Sequence, residues 1–87
     1  MKPFHLTFTT QAKTRLARLH PQLRREIRSS LDELKENPWV GKPLQRELTG
    51  FFSLKIRHYR VIYKVVEEKS LLEIMTLGQR KTIYVLK

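Results

Sequence analysis

Residues 50–65 read GFFSLKIRHYRVIYKV. Two runs in this stretch, Phe51 to Ile56 and Tyr59 to Val66, are rich in aromatic and β-branched residues, which is the composition typical of β-strands. Only Arg57 and His58 separate the two runs. The stretch therefore predicts a β-hairpin with a tight turn.

Downstream of this hairpin the strand pattern continues. Leu71 to Leu77 and Thr82 to Leu86 have the same composition, and they are separated from their neighbours by Glu67 to Ser70 and by Gly78 to Lys81. Gly78 suits a tight turn at the second of these breaks. Closely spaced strands of this kind predict an antiparallel meander.

Upstream of the hairpin the chain changes from strand to helix. Apolar residues alternate at Phe4, Leu6 and Phe8, as in a half-buried strand. A first helix is predicted from about Gln11 to Leu19, and His20 with Pro21 interrupts it because proline cannot continue a helix. A second helix then carries an apolar stripe and ends at Asn37 and Pro38; the stripe consists of Leu23, Ile27, Leu31 and Leu34. Trp39 to Gly50 is predicted to be an irregular connection.

These elements predict one α+β domain spanning residues 1–87. Its N-terminal strand precedes an antiparallel hairpin of two helices, and the helices pack on one face of an antiparallel β-sheet.

The composition narrows the function. The 18 Lys and Arg against 8 Asp and Glu give a net charge of +10, which favours a polyanionic partner. The chain has no Cys, and its three His have no metal-site spacing, so we expect neither a metal nor another cofactor. It also lacks a long apolar segment, so we expect a cytoplasmic protein without membrane contact.

Strand alternation places basic side chains on one face of the sheet. If the helices cover Val61 and Tyr63, then Lys55, Arg60 and Lys64 lie on the opposite, uncovered face. The last strand would bring Tyr84 to the same side. Such a basic concavity suits cleavage of RNA without metal, although the residues alone indicate only a domain directed at nucleic acid.

The run from Gly50 to Val65, with its segment YRVIY at 59–63, and the run from Ile74 to Arg80 closely resemble RelE/ParE toxins of toxin–antitoxin modules. The order of predicted elements resembles that family too, including the fold shared with microbial ribonucleases. RelE-like members cut messenger RNA in the ribosomal decoding site, whereas ParE-like members poison DNA gyrase. The resemblance therefore implies a toxin and leaves its target open.

The resemblance also implies roles for individual residues. Lys55 matches a basic residue that steadies the transition state, Arg60 matches the arginine that holds the scissile phosphate, and Arg80 matches the general acid. Tyr84 matches a tyrosine that stacks on a substrate base. Further contacts to RNA or the ribosome are expected from Arg57, Lys64, Lys81, Arg24 and Arg28.

Two positions depart from the family pattern. Ser53 stands where many RelE-like toxins have a second basic residue, in some the general base, and Arg57 with His58 stands where Gly and Asp are common. One hypothesis is that His58 acts as the base instead. A purely structural alternative for Arg60 is an ion pair with Glu73 on the next strand.

Three functions therefore stay open: a ribosome-dependent endoribonuclease, a gyrase poison, and an inactive binding module. Ser53 favours the second, and Lys55, Arg80 and Tyr84 together favour the first. In each case the resemblance implies an acidic, partly disordered antitoxin that folds onto the basic surface in a toxin–antitoxin hetero-oligomer.

Overall fold

The computed structural model describes residues 3–79. Its regular elements are β1 (His5–Phe8), α1 (Thr10–Ala17), α2 (Pro21–Glu36), β2 (Lys42–Pro43), β3 (Phe51–Ile56), β4 (Tyr59–Val66) and β5 (Leu71–Gln79), with short 3-10 helices at Arg46–Leu48 and Glu67–Lys69. The predicted α+β class is confirmed. The strand expected at Thr82 to Leu86 lies outside the described residues.

The five strands form one sheet in the order β1-β5-β4-β3-β2. β5, β4, β3 and β2 are antiparallel to their neighbours, as the meander predicts, but β1 joins β5 in parallel. This pairing sets Leu6 beside Leu72 and Phe8 beside Ile74, so the apolar side chains of β1 extend the core. The sheet is therefore mixed.

The two helices begin and end close to their predicted limits. The hydroxyl of Thr9 accepts a hydrogen bond from the amide of Ala12 and caps α1, and Pro21 occupies the first turn of α2. α1 stops at Ala17, two residues before the predicted end at Leu19. The guanidinium of Arg24 donates to the carbonyl of Ala17 at 2.9 Å, so this carbonyl at the C-terminus of α1 has a hydrogen-bonding partner.

Both helices pack on the same face of the sheet. Their buried side chains meet those of β4 and β5 in one core, which contains Ala12, Leu16, Ile27, Leu31, Leu34, Val61, Tyr63, Leu72, Ile74 and Leu77. The predicted apolar stripe of α2 supplies three of these residues, and Leu23 packs against their edge. Neither helix of residues 3–79 is both long enough and apolar enough to span a membrane.

The connection after α2 is fastened to the sheet by Tyr63. Its buried hydroxyl donates to the carbonyl of Pro38 at 2.9 Å and accepts from the amide of Gly41 at 3.0 Å. A Cβ at position 41 would lie 2.4 Å from that hydroxyl oxygen, so glycine is required there. Burial raises the pKa of Tyr63 above its ordinary value of 10.0, and the bond from Gly41 only partly opposes this. Tyr63 is thus a core residue, as expected of an aromatic residue in a strand.

Two segments differ from the sequence-based expectation. The connection includes the short strand β2, which pairs with β3 at Ser53 and Phe52. The turn predicted at Gly78 is wrong, because Gly78 and Gln79 continue β5 and pair with Arg60 and Tyr59 of β4. Since β4 begins at Tyr59, its ladder provides hydrogen-bonding partners for β5 up to that point.

Candidate functional site

The face of the sheet turned away from α1 and α2, called the second face below, carries the predicted basic residues. Lys55 of β3 lies directly opposite Arg60 of β4, and Arg60 lies directly opposite Gly78 of β5. Directly paired residues share a face, and Val61 next to Arg60 belongs to the helix-side core. Lys55 and Arg60 are therefore on the second face, as predicted.

Lys55 and Arg60 form an unfavourable pair in a sheet. Like charges directly opposite each other destabilise an antiparallel pair of strands. Lys55 is exposed, so water screens its ammonium, while Arg60 is only partly exposed. The two facing cations concentrate positive charge at this point of the sheet, and such a concentration attracts anions.

Two polar atoms next to this pair are buried without a partner. Within residues 3–79, Arg60 Nε and Thr76 Oγ1 are both inaccessible to solvent and neither makes a hydrogen bond. Buried polar groups are nearly always hydrogen-bonded, and an unpaired one costs about 1–3 kcal/mol. Both atoms belong to residues of the second face, so this part of the face has unused hydrogen-bonding capacity.

The middle of the second face is not the uncovered surface that strand alternation alone suggests. Ser53 lies opposite Ile62, and these two residues are only 2% and 7% exposed. Lys64 is exposed and lies opposite Glu73. The middle of the site is therefore buried, with one polar residue (Ser53) and one apolar residue (Ile62), and basic side chains lie around it.

The expected ion pair of Arg60 with Glu73 is not formed within residues 3–79. The register sets Glu73 opposite Lys64, whereas Arg60 is opposite Gly78. The β-bulge between Ile62 and Tyr63 contributes to this offset. The carboxylate of Glu73 therefore does not neutralise Arg60.

The turn between β3 and β4 belongs to a different surface. Arg57 has a φ of 57° and forms an ion pair with Glu26 of α2, with its Nε 2.7 Å from one carboxylate oxygen and its Nη2 2.9 Å from the other. His58 is exposed and lines a cleft with His20 and Glu26. The structure thus groups Arg57 and His58 with α2 and not with Arg60.

Arg24 and Arg28 also lie away from the second face, on α2. Arg24 is used in the hydrogen bond to Ala17, and the guanidinium of Arg28 lies 6.0 Å from the centre of the Phe8 ring in a cation–π contact. The structure therefore does not bring these two arginines together with Lys55 and Arg60. Arg80, Lys81 and Tyr84 lie outside the described residues.

Thr76 and Gly78 are site residues that sequence reasoning missed. Strict alternation along β5 assigns Thr76 to the same face as Leu72 and Ile74, that is, to the core. The bulge changes this, because Tyr63 pairs with Ile74 while Ile62 pairs with Thr76. Met75 is the extra residue, and the hydroxyl of Thr9 donates to its carbonyl at 2.6 Å. Strict alternation from Leu72 and Ile74 would assign Leu77 to the second face, yet Leu77 is apolar and lies buried in the core. This apolar residue out of step with the alternation is the one sign of the bulge in the sequence.

Comparison with known proteins extends this description. Residues 6–84 match the family model of the ParE toxin of type II toxin–antitoxin systems, parDE. The chain is 36% identical to the toxin RelG of Mycobacterium tuberculosis over 94% of its length and 97% of the relative. It is 25% identical to the mRNA interferase toxin RelE of Escherichia coli, over 90% of this chain and 84% of that protein.

A solved structure shows the same arrangement of elements. The toxin–antitoxin complex RelBE2 of Mycobacterium tuberculosis contains a chain that superposes with a TM-score of 0.82 and 34% sequence identity. The match covers 90% of the present chain and 99% of that chain. Two helices on a five-stranded mixed sheet are thus a fold shared with RelE toxins.

Proposed function

The chain belongs to the RelE/ParE family of toxins from type II toxin–antitoxin systems, and we propose that it inhibits translation as a ribosome-dependent endoribonuclease that cuts messenger RNA without a metal ion. The observation that carries the proposal is the unpartnered Nε of Arg60 beside Lys55 on the second face. A phosphodiester is the anion that such a group would bind. The name of the Escherichia coli relative, an mRNA interferase toxin, supports the same reading.

The proposed reaction uses a nucleophile that RNA itself supplies. The ribose 2′-hydroxyl attacks the adjacent phosphorus, a new P–O bond forms to the 2′-oxygen, and the P–O bond to the 5′-oxygen of the next nucleotide breaks. The products are a 2′,3′-cyclic phosphate and a 5′-hydroxyl. A base accepts the proton of the 2′-hydroxyl, and an acid returns a proton to the leaving 5′-oxygen.

Arg60 and Lys55 would act on the phosphate during this step. Negative charge grows on the non-bridging oxygens as the fifth bond to phosphorus forms, and preorganised cations stabilise that charge more than the ground state. The side of a guanidinium formed by Nε and one terminal nitrogen presents two parallel donors to two oxygens. The exposed ammonium of Lys55 adds a second positive charge across the strand pair.

The remaining roles rest on the family resemblance. Arg80 is proposed as the acid that protonates the leaving oxygen, and Tyr84 is proposed to stack on a substrate base, a contact worth about 1–3 kcal/mol. The base is not assigned. Ser53 is buried, and His58 lines the cleft near α2, so the geometry favours neither residue.

The proposed partners follow from charge and from the relatives. The RelBE2 structure is a toxin–antitoxin complex. We propose that this chain also has an antitoxin, and that the antitoxin is acidic because the net charge of the chain is +10. Lys64 and Lys81 would contribute contacts to RNA or the ribosome. The helix-side arginines Arg24, Arg28 and Arg57 would do so on a separate surface. The proposed cleavage of messenger RNA would take place in the cytoplasm, where ribosomes translate.

The alternative is a gyrase poison of the ParE kind. The family model that matches the chain bears the ParE name, and Ser53 replaces a residue that many ribonucleolytic members use. Such a protein would act through its surface without cutting RNA. A third possibility is a toxin that has lost its activity and retains only antitoxin binding.

Induced expression of the wild type and of Arg60→Ala, followed by mapping of message ends, tests the proposal. We expect growth arrest with cuts phased to codons in the wild type, and a loss of these cuts by about 100- to 1000-fold in the variant. Arrest without cuts, together with inhibition of DNA supercoiling by the purified protein, would establish the gyrase alternative. An absence of arrest for the wild type would indicate the inactive module.

A further inference from the structure

Thr76 lies close to Arg60 but has no role in the function proposed above. Arg60 pairs with Gly78, and Ile62 pairs with Thr76, so Arg60 and Thr76 are diagonal neighbours on the second face. Diagonal positions in an antiparallel pair are about 7–8 Å apart, with their Cβ atoms somewhat closer, and a long side chain can bridge this distance. Gly78, which lies directly opposite Arg60, contributes no side chain to this part of the second face.

The two residues share an unusual state. Arg60 Nε and Thr76 Oγ1 are the two buried side-chain polar atoms of residues 3–79 that lack a hydrogen bond. Two such atoms on neighbouring strands indicate one site with unused hydrogen-bonding capacity. The adjacent Ile62 side chain is 7% exposed and gives this site an apolar wall.

The β-bulge is what brings the hydroxyl to this place. Without the extra residue Met75, Thr76 would point into the core beside Leu72 and Ile74. The bulge is itself fixed by Thr9, whose hydroxyl donates to the carbonyl of Met75 at 2.6 Å and whose amide donates to the carbonyl of Ile74 at 3.1 Å. The orientation of Thr76 is therefore built into the junction of β1, α1 and β5.

We propose that the hydroxyl of Thr76 donates a hydrogen bond to a non-bridging oxygen of the same RNA phosphate that Arg60 binds, and that Thr76 is thereby a further catalytic residue. The inference rests on the proposed function. Arg60 supplies two donors through Nε and a terminal nitrogen, and Thr76 supplies a third. Next to a buried apolar wall these hydrogen bonds are stronger than in water.

Removing the hydroxyl of Thr76 distinguishes a role in phosphate binding from a role in stabilising the fold. Thr76→Val keeps the shape of the side chain and deletes an unsatisfied buried group, so we expect its melting temperature to equal or exceed that of the wild type. Thr76→Ser retains the hydroxyl, and Thr7→Val is a matched control on the exposed part of the same sheet face.

The measurement is single-turnover cleavage of a message on ribosomes at saturating protein. We expect Thr76→Val to cut at least 10-fold more slowly, Thr76→Ser to recover most of the rate, and Thr7→Val to match the wild type. Cleavage by Thr76→Val at the wild-type rate would overturn the proposal. A marked loss of stability in Thr76→Val would overturn it as well, because the hydroxyl would then have a partner within the fold.

A second measurement separates this proposal from the proposed function. Inorganic phosphate is added at constant ionic strength, and its dissociation constant is obtained from the rise in melting temperature. We expect Thr76→Val to bind phosphate at least 3-fold more weakly than the wild type, even if the wild type proves unable to cut RNA. Equal phosphate binding by the two proteins would contradict a hydrogen bond from Thr76, whatever the fate of the ribonuclease proposal.

Discussion

Lys55 and Arg60 face each other directly across β3 and β4, and Gly78 faces Arg60 from the other side. This row sets two cations against each other at a cost to the sheet, and the β5 position directly opposite Arg60 has no side chain. An arrangement that weakens the fold where a ligand would stabilise it is typical of functional sites.

Replacing Lys55 should separate stability from activity. Lys55→Thr removes one of the two facing cations and introduces a residue that favours strands, so we expect the free energy of unfolding to rise by about 0.2–1 kcal/mol. Cleavage of ribosome-bound message should fall at least 10-fold. Urea unfolding measures the first effect, with Lys64→Thr as the control, because Lys64 faces Glu73 and its removal should give no gain. A loss of stability in Lys55→Thr would contradict the assigned repulsion.

Tyr63 should be required for the stability of the connection after α2. Tyr63→Phe leaves the buried carbonyl of Pro38 and the amide of Gly41 without their partner, so we expect the free energy of unfolding to fall by about 1–3 kcal/mol. Tyr59→Phe is the control, since the Tyr59 hydroxyl makes no hydrogen bond within residues 3–79. Equal unfolding curves for the two variants would exclude the proposed fastening.

Tyr63 should also make the free energy of unfolding decrease in alkaline solution. Burial raises the pKa of Tyr63 in the folded state above the ordinary 10.0. The unfolded chain therefore releases the proton first, and the contribution of Tyr63 is complete below pH 10 and is lost as the pH rises above it. Unfolding curves measured from pH 8 to 11 should show a steeper decline for the wild type than for Tyr63→Phe. If the stability of the two proteins declined in parallel, the folded state would not hold the hydroxyl proton of Tyr63 more tightly than the unfolded chain does.

The turn between β3 and β4 should tolerate glycine better than alanine. Arg57 has a φ of 57°, a left-handed conformation that costs a residue with a Cβ about 1–2 kcal/mol. Arg57→Gly removes this strain and the ion pair with Glu26 together, and such an exposed pair contributes at most about 1 kcal/mol. We expect Arg57→Gly to match the wild type in urea unfolding and Arg57→Ala to be less stable. If the free energy of unfolding fell by several kcal/mol in both variants, the ion pair of Arg57 with Glu26 would be far stronger than its exposure implies.

Much of the fold could be predicted because its elements follow regular periods. The spacing of Leu23, Ile27, Leu31 and Leu34 fixed the buried side of α2, and alternation on a regular hairpin assigned Lys55, Arg60 and Lys64 to one face. These predictions needed only local geometry.

Other features depend on contacts that local patterns do not encode. The β-bulge at Met75 reverses the side on which Thr76 lies, and the parallel pairing of β1 with β5 joins residues far apart in the chain. The ion pair that removes Arg57 from the site joins it to Glu26, 31 positions earlier. The donor at Thr76 was missed for the same reason, since it faces the site only because of the bulge.

Arg60 is proposed to bind a phosphate whose own ribose supplies the attacking 2′-hydroxyl. The most direct measurement uses ribosomes stalled on a message that carries a single 2′-deoxy nucleotide at the site cut by the wild-type protein. We expect cleavage there to be abolished. The unmodified message should yield a 2′,3′-cyclic phosphate and a 5′-hydroxyl, and Arg60→Ala should form these products at least 100-fold more slowly. Cleavage of the deoxy-substituted message at the same position, or an undiminished rate with Arg60→Ala, would contradict the proposal.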